Sequence, residues 1–428
     1  MEDIMENQLQ TDLLILGGGA AGLMAAVAAG QALAGKGHIV LAEHGPRVGK
    51  KLLSTGNGRC NLLNLSPEPH RYHGGEPAFI QAVLGRFTPR QVLARFEALG
   101  LLTRAEEEGR VYPYSEQASA VLDVLRAELD RLGVRQMIGV APDRLQRTKN
   151  GYRFAGPRGA ILARRVIVAT GGCGVPSSGS DGSGHRLLKL LGHTITPMFP
   201  ALCPVKVSSP SLRSMKGLRC RGKVTLLADG APVKHELGEI QFADGALSGV
   251  CVFQLSRLAG EFFTHNTVLG RACKAVSLSL DLMPEYSASQ VLTLLRRQQE
   301  LCARQPLENL PIGLLNKRVG QTLLKEATGL SLSHLCGKLS SADLEQIAAR
   351  VKDWRFSPTG VGPFQTAQVT AGGADCREFD PATLESTRCP GLYAAGEVLD
   401  VDGDCGGFNL YWAWCSGLLA GESAAKGL

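Results

Sequence analysis

The sequence LLILGGGAAGLMAAVAAGQALAGKGHIVLAE, residues 13–43, decides the fold of this chain. A short β-type run leads into a glycine-rich turn, an apolar helical pattern runs from Leu23 to Ala34, and a second β-type run ends at Glu43. A strand, a glycine turn, a helix and a second strand form a βαβ unit. This stretch therefore predicts an α/β fold built on a parallel sheet.

The glycines of that turn, Gly17, Gly19 and Gly22, have the G-x-G-x-x-G spacing of dinucleotide-binding proteins. The first permits a tight turn, the second lets the backbone approach a pyrophosphate at the positive end of the helix, and the third lets the helix pack on the strand. Glu43 stands where an acid accepts hydrogen bonds from the adenosine ribose. The alternative is a glycine-rich packing turn without a ligand.

Glycine is in excess over the whole chain, with 52 of 428 residues against a usual ~7%. Proline is not raised with it, so a collagen-like or linker composition is excluded. The net charge of +7 comes without a run of like charges. We therefore expect no nucleic-acid partner, whereas an anionic small-molecule ligand suits the sign of the charge.

The twelve cysteines include no C-x-x-C pair and no Cys/His cluster with zinc spacing. This pattern predicts no metal site and suggests reduced, buried thiols in a cytoplasmic protein. The apolar stretch beginning at Leu13 has the length of a membrane span, but acidic residues precede it and three glycines interrupt it. We expect neither a signal peptide nor a membrane span.

A loop follows where many dinucleotide-binding domains enter their next helix. Residues 47–61 read RVGKKLLSTGNGRCN and are rich in Gly, Ser, Thr, Lys and Arg. Such a loop can offer N–H groups and cations along an extended ligand. The alternative is a flexible surface loop with solvated lysines.

Strands that end in glycine recur later in the chain, and bare backbone of this kind can approach a ligand closely. Ala-Thr-Gly-Gly stands at 169–172, Ala-Gly-Gly at 371–373 and Gly-Glu at 396–397. The other predicted elements are helices at 89–99, 115–132 and 185–191, a strand at 134–140, a tight loop at 400–410 and a final helix at 411–426.

The middle of the chain has a different pattern, with short β-type runs up to Asp281 and helical spacing after Ser287. This pattern predicts a β-rich, barrel-like module with a helical insertion. The expected domains are a nucleotide-binding domain at 1–195 and 357–428, a β-rich substrate domain at 196–284 plus about 341–356, and a helical insertion at 285–340.

Three blocks resemble one bacterial family: Ser54–Asn61, Gly396–Gly403 and Gly406–Leu410 followed by Trp-Ala-Trp at 412–414. That family is the aminoacetone oxidase family of FAD-binding enzymes, which includes a 3-dehydro-bile-acid Δ4,6-reductase. The resemblance extends over essentially the whole chain. It implies a Rossmann-like FAD-binding domain of the glutathione-reductase type and FAD bound tightly but not covalently.

The resemblance also implies positions along the cofactor. The glycine turn and first helical turn would hold the pyrophosphate, Val140 would contact the adenine through its backbone, Gly396 and Glu397 would meet the ribityl chain, and the start of the last helix would face the flavin N1–C2=O edge. The implied cofactor-binding residues are Gly17, Gly19, Ala20, Ala21, Gly22, Glu43, Lys51, Ser54, Gly56, Cys60, Asn61, Val140, Thr170, Gly171, Gly396, Glu397, Asp402, Gly407, Phe408, Asn409 and Leu410.

One departure from the family pattern concerns the middle domain. Many relatives carry a Phe-Thr-His block before Leu-Ser-Gly-Pro, whereas this chain has Asp244 in place of the His and Val250 in place of the Pro. If that loop reaches the substrate, we expect a different substrate preference.

The candidate catalytic residues are Arg59 and Tyr112, which could polarise a substrate carbonyl, and Tyr411, which could cover a substrate or flavin face. For Tyr411 and its neighbouring tryptophans, helical spacing favours core packing. Cys60 has no nearby partner cysteine, so packing or contact with the flavin is favoured over a redox role.

The leading functional hypothesis is an NAD(P)H-dependent flavin reductase of a conjugated carbonyl, with a steroid-like enone as one example. Because the chain has a single dinucleotide fingerprint, NAD(P)H would bind only transiently. The alternatives are an amine or aminoketone oxidase that uses O₂, and a non-catalytic or RNA-modification-type flavoprotein. The substrate and the oligomeric state stay open.

Overall fold

The computed structural model describes residues 8–141, 144–156 and 159–428. These residues divide into two compact units. The first, the nucleotide unit, contains the residues up to Phe199 together with Gln368–Leu428, and the second, the barrel unit, contains Pro200–Ala367.

The helices and strands have the following bounds. In the first part of the chain the strands are β1 (Gln8–Leu16), β2 (Ile39–Glu43), β3 (Leu63–Asn64), β4 (Tyr72–Gly74), β5 (Thr103–Ala105), β6 (Arg110–Pro113), β7 (Arg135–Ile138), β8 (Arg144–Thr148), β9 (Gly151–Gly156), β10 (Gly159–Val168) and β11 (Phe199–Ala201). The helices there are α1 (Ala20–Leu33), α2 (Pro77–Leu84), α3 (Pro89–Ala98), α4 (Ala118–Arg131) and α5 (Ser183–Leu190).

The middle and last parts continue the same numbering. The middle strands are β12 (Val205–Ser208), β13 (Arg219–Ala228), β14 (Ala231–Ala243), β15 (Ala246–Ser248), β16 (Thr267–Val268), β17 (Arg271–Ala272), β18 (Val276–Asp281) and β19 (Trp354–Val361). The middle helices are α6 (Leu212–Met215), α7 (Val250–His265), α8 (Ala288–Leu301), α9 (Lys317–Thr328) and α10 (Ser341–Lys352). The last part contains β20 (Val369–Ala371), β21 (Leu392–Ala394), β22 (Val401–Gly403) and α11 (Phe408–Ala425).

The central sheet of the nucleotide unit has the order β7-β2-β1-β10-β9-β8, with β21 also paired to β10. Strand β1 runs parallel to both β2 and β10, and the register pairs Leu13 with Ile39 and with Arg165. Strands β8 and β9 add an antiparallel extension next to β10. The parallel βαβ unit expected from residues 13–43 is confirmed.

Helices α1 and α11 lie against each other in the core of the nucleotide unit. Both are apolar nearly all round and almost wholly buried, as expected for helices without a solvent face. Glycine permits their close approach: a Cβ at Gly417 would lie 2.5 Å from the carbonyl oxygen of Ala21, and one at Gly421 would lie 2.3 Å from that of Ala25.

Several predicted limits in this unit differ from the structure; α1 begins at Ala20 rather than Leu23, and α5 begins at Ser183 rather than His185. Helix α4 begins at Ala118 rather than Ser115. Helix α11 begins at Phe408 rather than Tyr411, because Gly407, with φ +99°, ends the preceding loop. The segment expected as a loop also contains β22, which pairs with β4, a strand over 300 residues earlier in the chain.

The barrel unit contains a closed barrel with the strand order β12-β15-β14-β13-β18-β19, and β19 pairs back onto β12. Helices α8, α9 and α10 come between β18 and β19 in the sequence. The predicted barrel-like module with a helical insertion is confirmed. Its C-terminal limit differs from the expected boundary at 356/357, since β19 continues to Val361 and the unit ends at Ala367.

The described residues contain neither a membrane-spanning helix nor a cluster of metal ligands. None of the helices in this part of the chain combines the length and apolarity needed to cross a lipid bilayer. The same residues contain no group of three or more His, Cys, Asp or Glu side chains placed to hold a metal ion.

Candidate functional site

The three glycines of the turn after β1 have different surroundings. A Cβ at Gly17, whose φ is +103°, would lie 2.4 Å from the carbonyl oxygen of Ala169, and one at Gly22 would lie 1.9 Å from that of Gly17. A Cβ at Gly19 would meet no heavy atom of the described residues within 4 Å. Two of the glycines are therefore required by the protein's own packing, and the third borders open space that a ligand can approach.

The start of helix α1 borders the same open space. Gly19 precedes the helix, and within the described chain no side chain caps it and no acid stands in its first turn. The backbone N–H groups of Ala20, Ala21 and Gly22 belong to this uncapped end, which carries the positive pole of the helix dipole. An anionic group such as a pyrophosphate fits this arrangement.

Glu43 closes one side of the turn. Its Oε2 accepts the N–H of Gly18 at 2.7 Å, and its Oε1 accepts the N–H of Gly45 at 2.5 Å. A carboxylate has about four acceptor sites, so the half-buried side chain can still accept ribose hydroxyls. The N–H of Val140 donates to the backbone carbonyl of Glu43 at 2.9 Å, so a contact between Val140 and adenine would have to use another atom.

The loop at residues 47–61 is held against the glycine turn. The N–H of Gly49 donates to the carbonyl of Gly18 at 2.7 Å. Lys51 forms an ion pair with Glu397 at 2.8 Å, and the other oxygen of Glu397 accepts the N–H of Thr370 at 2.8 Å. The loop therefore joins residues from both ends of the chain, in contrast to the flexible surface loop considered as the alternative.

The second half of this loop reaches the start of α11. Ser54 donates its hydroxyl to the carbonyl of Lys51, and Gly56 adopts φ +56° with its ideal Cβ 2.8 Å from the N atom of Asn61. In the amide orientation that satisfies both neighbours, Asn61 accepts from the N–H of Gly407 and donates to the carbonyl of Leu63, both at 3.2 Å.

Cys60 is fully buried in this loop, with φ +59°. Burial raises the pKa of its thiol to about 12, although a hydrogen bond with Thr55 acts in the opposite direction. A thiol with this pKa stays protonated at neutral pH and is a poor nucleophile. The packing role favoured by the sequence agrees with this environment.

Thr170 and Gly171 follow β10 and lie next to the first glycine of the turn. The hydroxyl oxygen of Thr170 is buried and has no hydrogen-bond partner in the described part of the chain. Gly171 adopts φ +73°. A buried hydroxyl normally has a partner, and this one lies against Gly184, whose ideal Cβ would be 1.8 Å from it.

Helix α11 also begins without a capping side chain among the described residues, after Gly407. The side chain of Asn409, in the first turn of α11, bonds back to Gly403. Its Oδ1 accepts the N–H of Gly403 at 2.8 Å, and its Nδ2 donates to the Gly403 carbonyl at 2.7 Å. The positive end at Phe408, Asn409 and Leu410 suits a developing negative charge. Gly396 lies beside this helix, donating its N–H to Ser416 at 2.9 Å.

The structure thus brings most of the predicted cofactor residues into one region of the nucleotide unit. An uncapped positive helix end, open space at Gly19, an unpartnered buried hydroxyl and a second uncapped helix end fit an extended dinucleotide cofactor. Asp402 lies on β22, opposite His73 in the register.

Arg59 and Tyr112 form a separate cluster at the edge of the loop. The Arg59 guanidinium lies 4.2 Å from the centre of the Tyr112 ring and pairs with Glu106 at 2.5 Å and with Glu116 at 3.5 Å. The Tyr112 ring contacts the loop at Gly56, whose ideal Cβ would be 3.4 Å away. Sequence reasoning missed both glutamates, because no motif marks them.

Tyr411, the third candidate catalytic residue, belongs to the core. It is almost fully buried, and its hydroxyl donates to the carbonyl of Phe87 at 2.5 Å. Trp412 and Trp414 are equally buried, and their indole N–H groups donate to backbone carbonyls. The packing alternative describes these aromatic residues, and the Tyr411 hydroxyl is not available to a substrate.

Sequence reasoning also missed a charged cluster beside α11, which we call the Asp404 cluster. Asp404 is buried, and its carboxylate lies 3.0 Å from Nε2 of His73 and 3.3 Å from Nη1 of Arg71. Asp404 stands in the acidic stretch after Asp400, which was a usable signal. Its partners lie more than 300 residues earlier, in a segment without any motif.

In the barrel unit, Asp244 lies at the turn between β14 and β15. Its side chain is about half exposed and forms an ion pair with Lys216 at 3.7 Å. Asp244 is thus a turn residue with a surface ion pair, a type of contact that contributes little to stability.

The chain is similar to a protein family and to several named proteins. A family model described as HI0933-like protein Rossmann domain matches residues 11–423. A protein named 3-dehydro-bile acid delta(4,6)-reductase, from Clostridium scindens, is 36% identical over 412 residues, covering 96% of this chain and 98% of that protein. A protein named ribosomal RNA dihydrouridine synthase, from Escherichia coli K12, is 29% identical and covers 95% of this chain and 96% of its own length.

Among solved structures, one described as quinol-fumarate reductase with menaquinol molecules matches with a TM-score of 0.51. It is 18% identical and covers 98% of this chain and 71% of its own. At this level of identity the likeness concerns the fold alone.

Proposed function

We propose a reaction for this chain, which belongs to the HI0933-like protein family and is an FAD-dependent oxidoreductase: the reduction of a carbon–carbon double bond conjugated to a carbonyl group. One observation carries the proposal. Two relatives that match nearly the whole chain have names that describe such a reduction, on two different molecules.

The chemistry common to those names is simple. A Δ4,6-reductase of a 3-oxo bile acid saturates a double bond in conjugation with the 3-carbonyl group. A dihydrouridine synthase saturates the 5,6 double bond of uracil, which is conjugated to the 4-carbonyl group. In both cases a hydride is added to the double-bond carbon that is electrophilic by conjugation, the β-carbon of an enone or the δ-carbon of a dienone, and a proton is added to the other carbon of that double bond.

The residues for the cofactor are those of the nucleotide unit: the turn at Gly17–Gly22, Glu43, the loop at 47–61, Thr170, and the start of α11. Bound FAD supplies the two-electron chemistry by hydride transfer. The protein supplies binding, orientation and the proton.

We assign the proton to Tyr112. Its hydroxyl has no hydrogen-bond partner among the residues that the structure describes, although the rest of the side chain is buried beside Gly56. The Arg59 guanidinium, 4.2 Å from the ring, is held in place by Glu106 and Glu116. Arg59 would orient the phenol and stabilise negative charge on the substrate carbonyl oxygen.

NAD(P)H is the proposed hydride donor. The chain has one dinucleotide fingerprint, and this fingerprint is assigned to FAD, so NAD(P)H would bind only while it reduces the cofactor. We further propose a small conjugated ketone as the substrate, because the relative with the higher identity is named for a bile acid.

A second candidate substrate is uridine in RNA. The sequence argues against a nucleic-acid partner because it has no basic run, but the relatives from Escherichia coli and Haemophilus influenzae, which match 95% and 96% of this chain, are both named for ribosomal RNA. The reaction at the double bond would be the same for both substrates.

The test uses the purified protein loaded with FAD, mixed without oxygen with NADH or NADPH. We expect the visible absorption of the flavin to bleach and to return when a 4-en-3-one steroid is added, with the saturated ketone as product. A ribosomal RNA transcript, analysed for dihydrouridine, tests the second substrate. Bleaching by an amine but by neither nicotinamide would overturn the proposal in favour of an oxidase.

Tyr112→Phe tests the proton donor. We expect it to slow product formation at least ~100-fold, as for loss of a general acid, and to leave bleaching by NAD(P)H unchanged. Tyr114→Phe is a matched control on the same segment, because Tyr114 is exposed and lies near Arg104 instead of Arg59. Equal rates for the two variants would remove Tyr112 from the mechanism.

A further inference from the structure

The Asp404 cluster lies at the flavin end of the predicted cofactor site. We propose that Asp404, held between Arg71 and His73, is a positioning residue that holds the start of helix α11 against the flavin ring and so sets its affinity and reduction potential. The proposal rests on FAD lying along α11, and it is independent of the substrate.

Backbone pairing attaches the loop before α11 to strand β4. Strands β4 and β22 are antiparallel, with Tyr72 opposite Gly403 and His73 opposite Asp402. The N–H of Asp404 continues this pairing by donating to the carbonyl of Arg71 at 2.9 Å. The loop before α11 is thereby attached to a segment from the other end of the chain.

The charge of the Asp404 carboxylate also holds this loop in place. The side chain of Asp404 is 5% exposed, whereas those of Arg71 and His73 are 40% and 27% exposed. A buried carboxylate is stable only when it is paired and hydrogen-bonded, and losing its partner is costly. Asp404 therefore fixes the loop as long as both basic side chains hold its two oxygens.

Side-chain contacts connect the Asp404 cluster to helix α11. Asn409, in the first turn of α11, donates its amide to the carbonyls of Asp404 and Gly403 at 3.3 and 2.7 Å. The neighbouring Phe408 packs under Arg71, whose guanidinium lies 5.7 Å from the ring centre, and against Tyr72 at 5.9 Å. A shift of Asp404 would therefore move both of the first residues of the helix.

The functional consequence follows from the helix dipole. The uncapped start of α11 is a positive pole, and it favours a ligand state that carries negative charge within the first turn. A reduced flavin carries more negative charge than an oxidised one. A displaced helix start should therefore weaken FAD binding and make the bound flavin harder to reduce.

A purely structural role is the competing explanation, and the nucleotide unit contains a matched pair for comparison. His193 and Glu378 also form a His–carboxylate contact, at 2.9 Å, but both are buried and the His stacks on Phe379. Glu378 accepts the N–H and hydroxyl of Thr194, and neither residue belongs to the predicted cofactor site.

The experiment compares Asp404→Asn with Glu378→Gln. FAD affinity is measured by fluorescence titration, the flavin potential by equilibration with a reference dye, and stability by thermal unfolding. We expect Asp404→Asn to weaken FAD binding about tenfold, the effect of losing one hydrogen bond to a charged group, and to lower the potential. Glu378→Gln should lower only the stability.

Variants at His73 keep the test valid if Asp404→Asn does not fold, since this side chain is partly exposed. His73→Gln retains an N–H donor for Asp404 and should keep the wild-type affinity and potential, whereas His73→Leu should change both in the same direction as Asp404→Asn. Wild-type values for Asp404→Asn or for His73→Leu, or equal shifts in Glu378→Gln, would overturn the proposal.

Discussion

Helices α1 and α11 begin alike but are held in different ways. Each starts after a glycine, and within the described chain neither start has a capping side chain. The start of α1 is shaped by backbone: Gly17 and Gly22 pack against carbonyl groups in the turn, and Glu43 accepts the N–H groups of Gly18 and Gly45. The start of α11 is braced by side chains, through the Asp404 cluster and Asn409.

This difference corresponds to the two ends of the predicted cofactor. A pyrophosphate carries its full charge in every redox state, so a fixed ring of N–H groups is sufficient at α1. A flavin ring changes its charge during the reaction, so the end at α11 is the one where placement affects the potential. Close contact at Gly417 and Gly421 ties the two helices together.

The largest expected effect is at Gly22. In Gly22→Ala the new Cβ would lie 1.9 Å from the carbonyl oxygen of Gly17, which is backbone and cannot move aside. We expect a loss of ~3 kcal/mol or more in the free energy of unfolding, as for severe overpacking, and no FAD binding. Denaturant unfolding and FAD titration measure these losses. A stable Gly22→Ala protein that binds FAD would contradict the claim that backbone packing shapes the start of α1.

The next effect is at the contact between the helices. In Gly421→Ala the Cβ would lie 2.3 Å from the carbonyl oxygen of Ala25, forcing α11 away from α1, with an expected cost of ~1–3 kcal/mol. Thermal unfolding measures it, and both FAD affinity and flavin potential should fall together. Glu422→Ala is the control, since it removes only a partly exposed ion pair with Arg95 worth up to ~1 kcal/mol. Equal losses in the two variants would contradict the packing argument.

The variant Glu43→Gln tests whether the carboxylates of Glu43 and Asp404 act at separate ends of the predicted cofactor site. Both oxygens of Glu43 accept backbone N–H groups, and an amide can serve only one of them, so we expect a loss of ~1–2 kcal/mol in stability and weaker FAD binding. The flavin potential should not change, because this residue lies at the nucleotide end. A shift in flavin potential as large as that of Asp404→Asn would show that the nucleotide end and the flavin end of the predicted cofactor site are not separate.

The smallest effect on the protein itself is at Gly19. Because a Cβ there meets no described heavy atom within 4 Å, Gly19→Ala should leave the stability of the FAD-free protein within ~0.5 kcal/mol of wild type. FAD affinity should still fall, since the added methyl group points into the space assigned to the pyrophosphate. Calorimetry without FAD and titration with it separate the two effects, and unchanged affinity would move the pyrophosphate elsewhere.

The sequence was most informative where contacts are local. The glycine turn, Glu43 and the strands around α1 lie within about 30 residues, and glycine spacing records their geometry directly. It was less informative about element limits: the first turn of α11 was assigned to the loop, although Gly407 marks its start. The packing alternative for Tyr411 also came from helical spacing alone.

The sequence by itself predicted a Rossmann-type nucleotide unit, a β-rich, barrel-like module with a helical insertion, and positions for the backbone half of the cofactor site. Only the tertiary structure decided the order in which the barrel strands pair, that Thr170 carries an unpartnered buried hydroxyl, and that Asp404 meets Arg71 and His73. The physical reason is sequence distance. A turn restricts neighbouring residues and leaves a spacing, whereas an ion pair between two far-apart segments depends on the packed fold and leaves no local pattern.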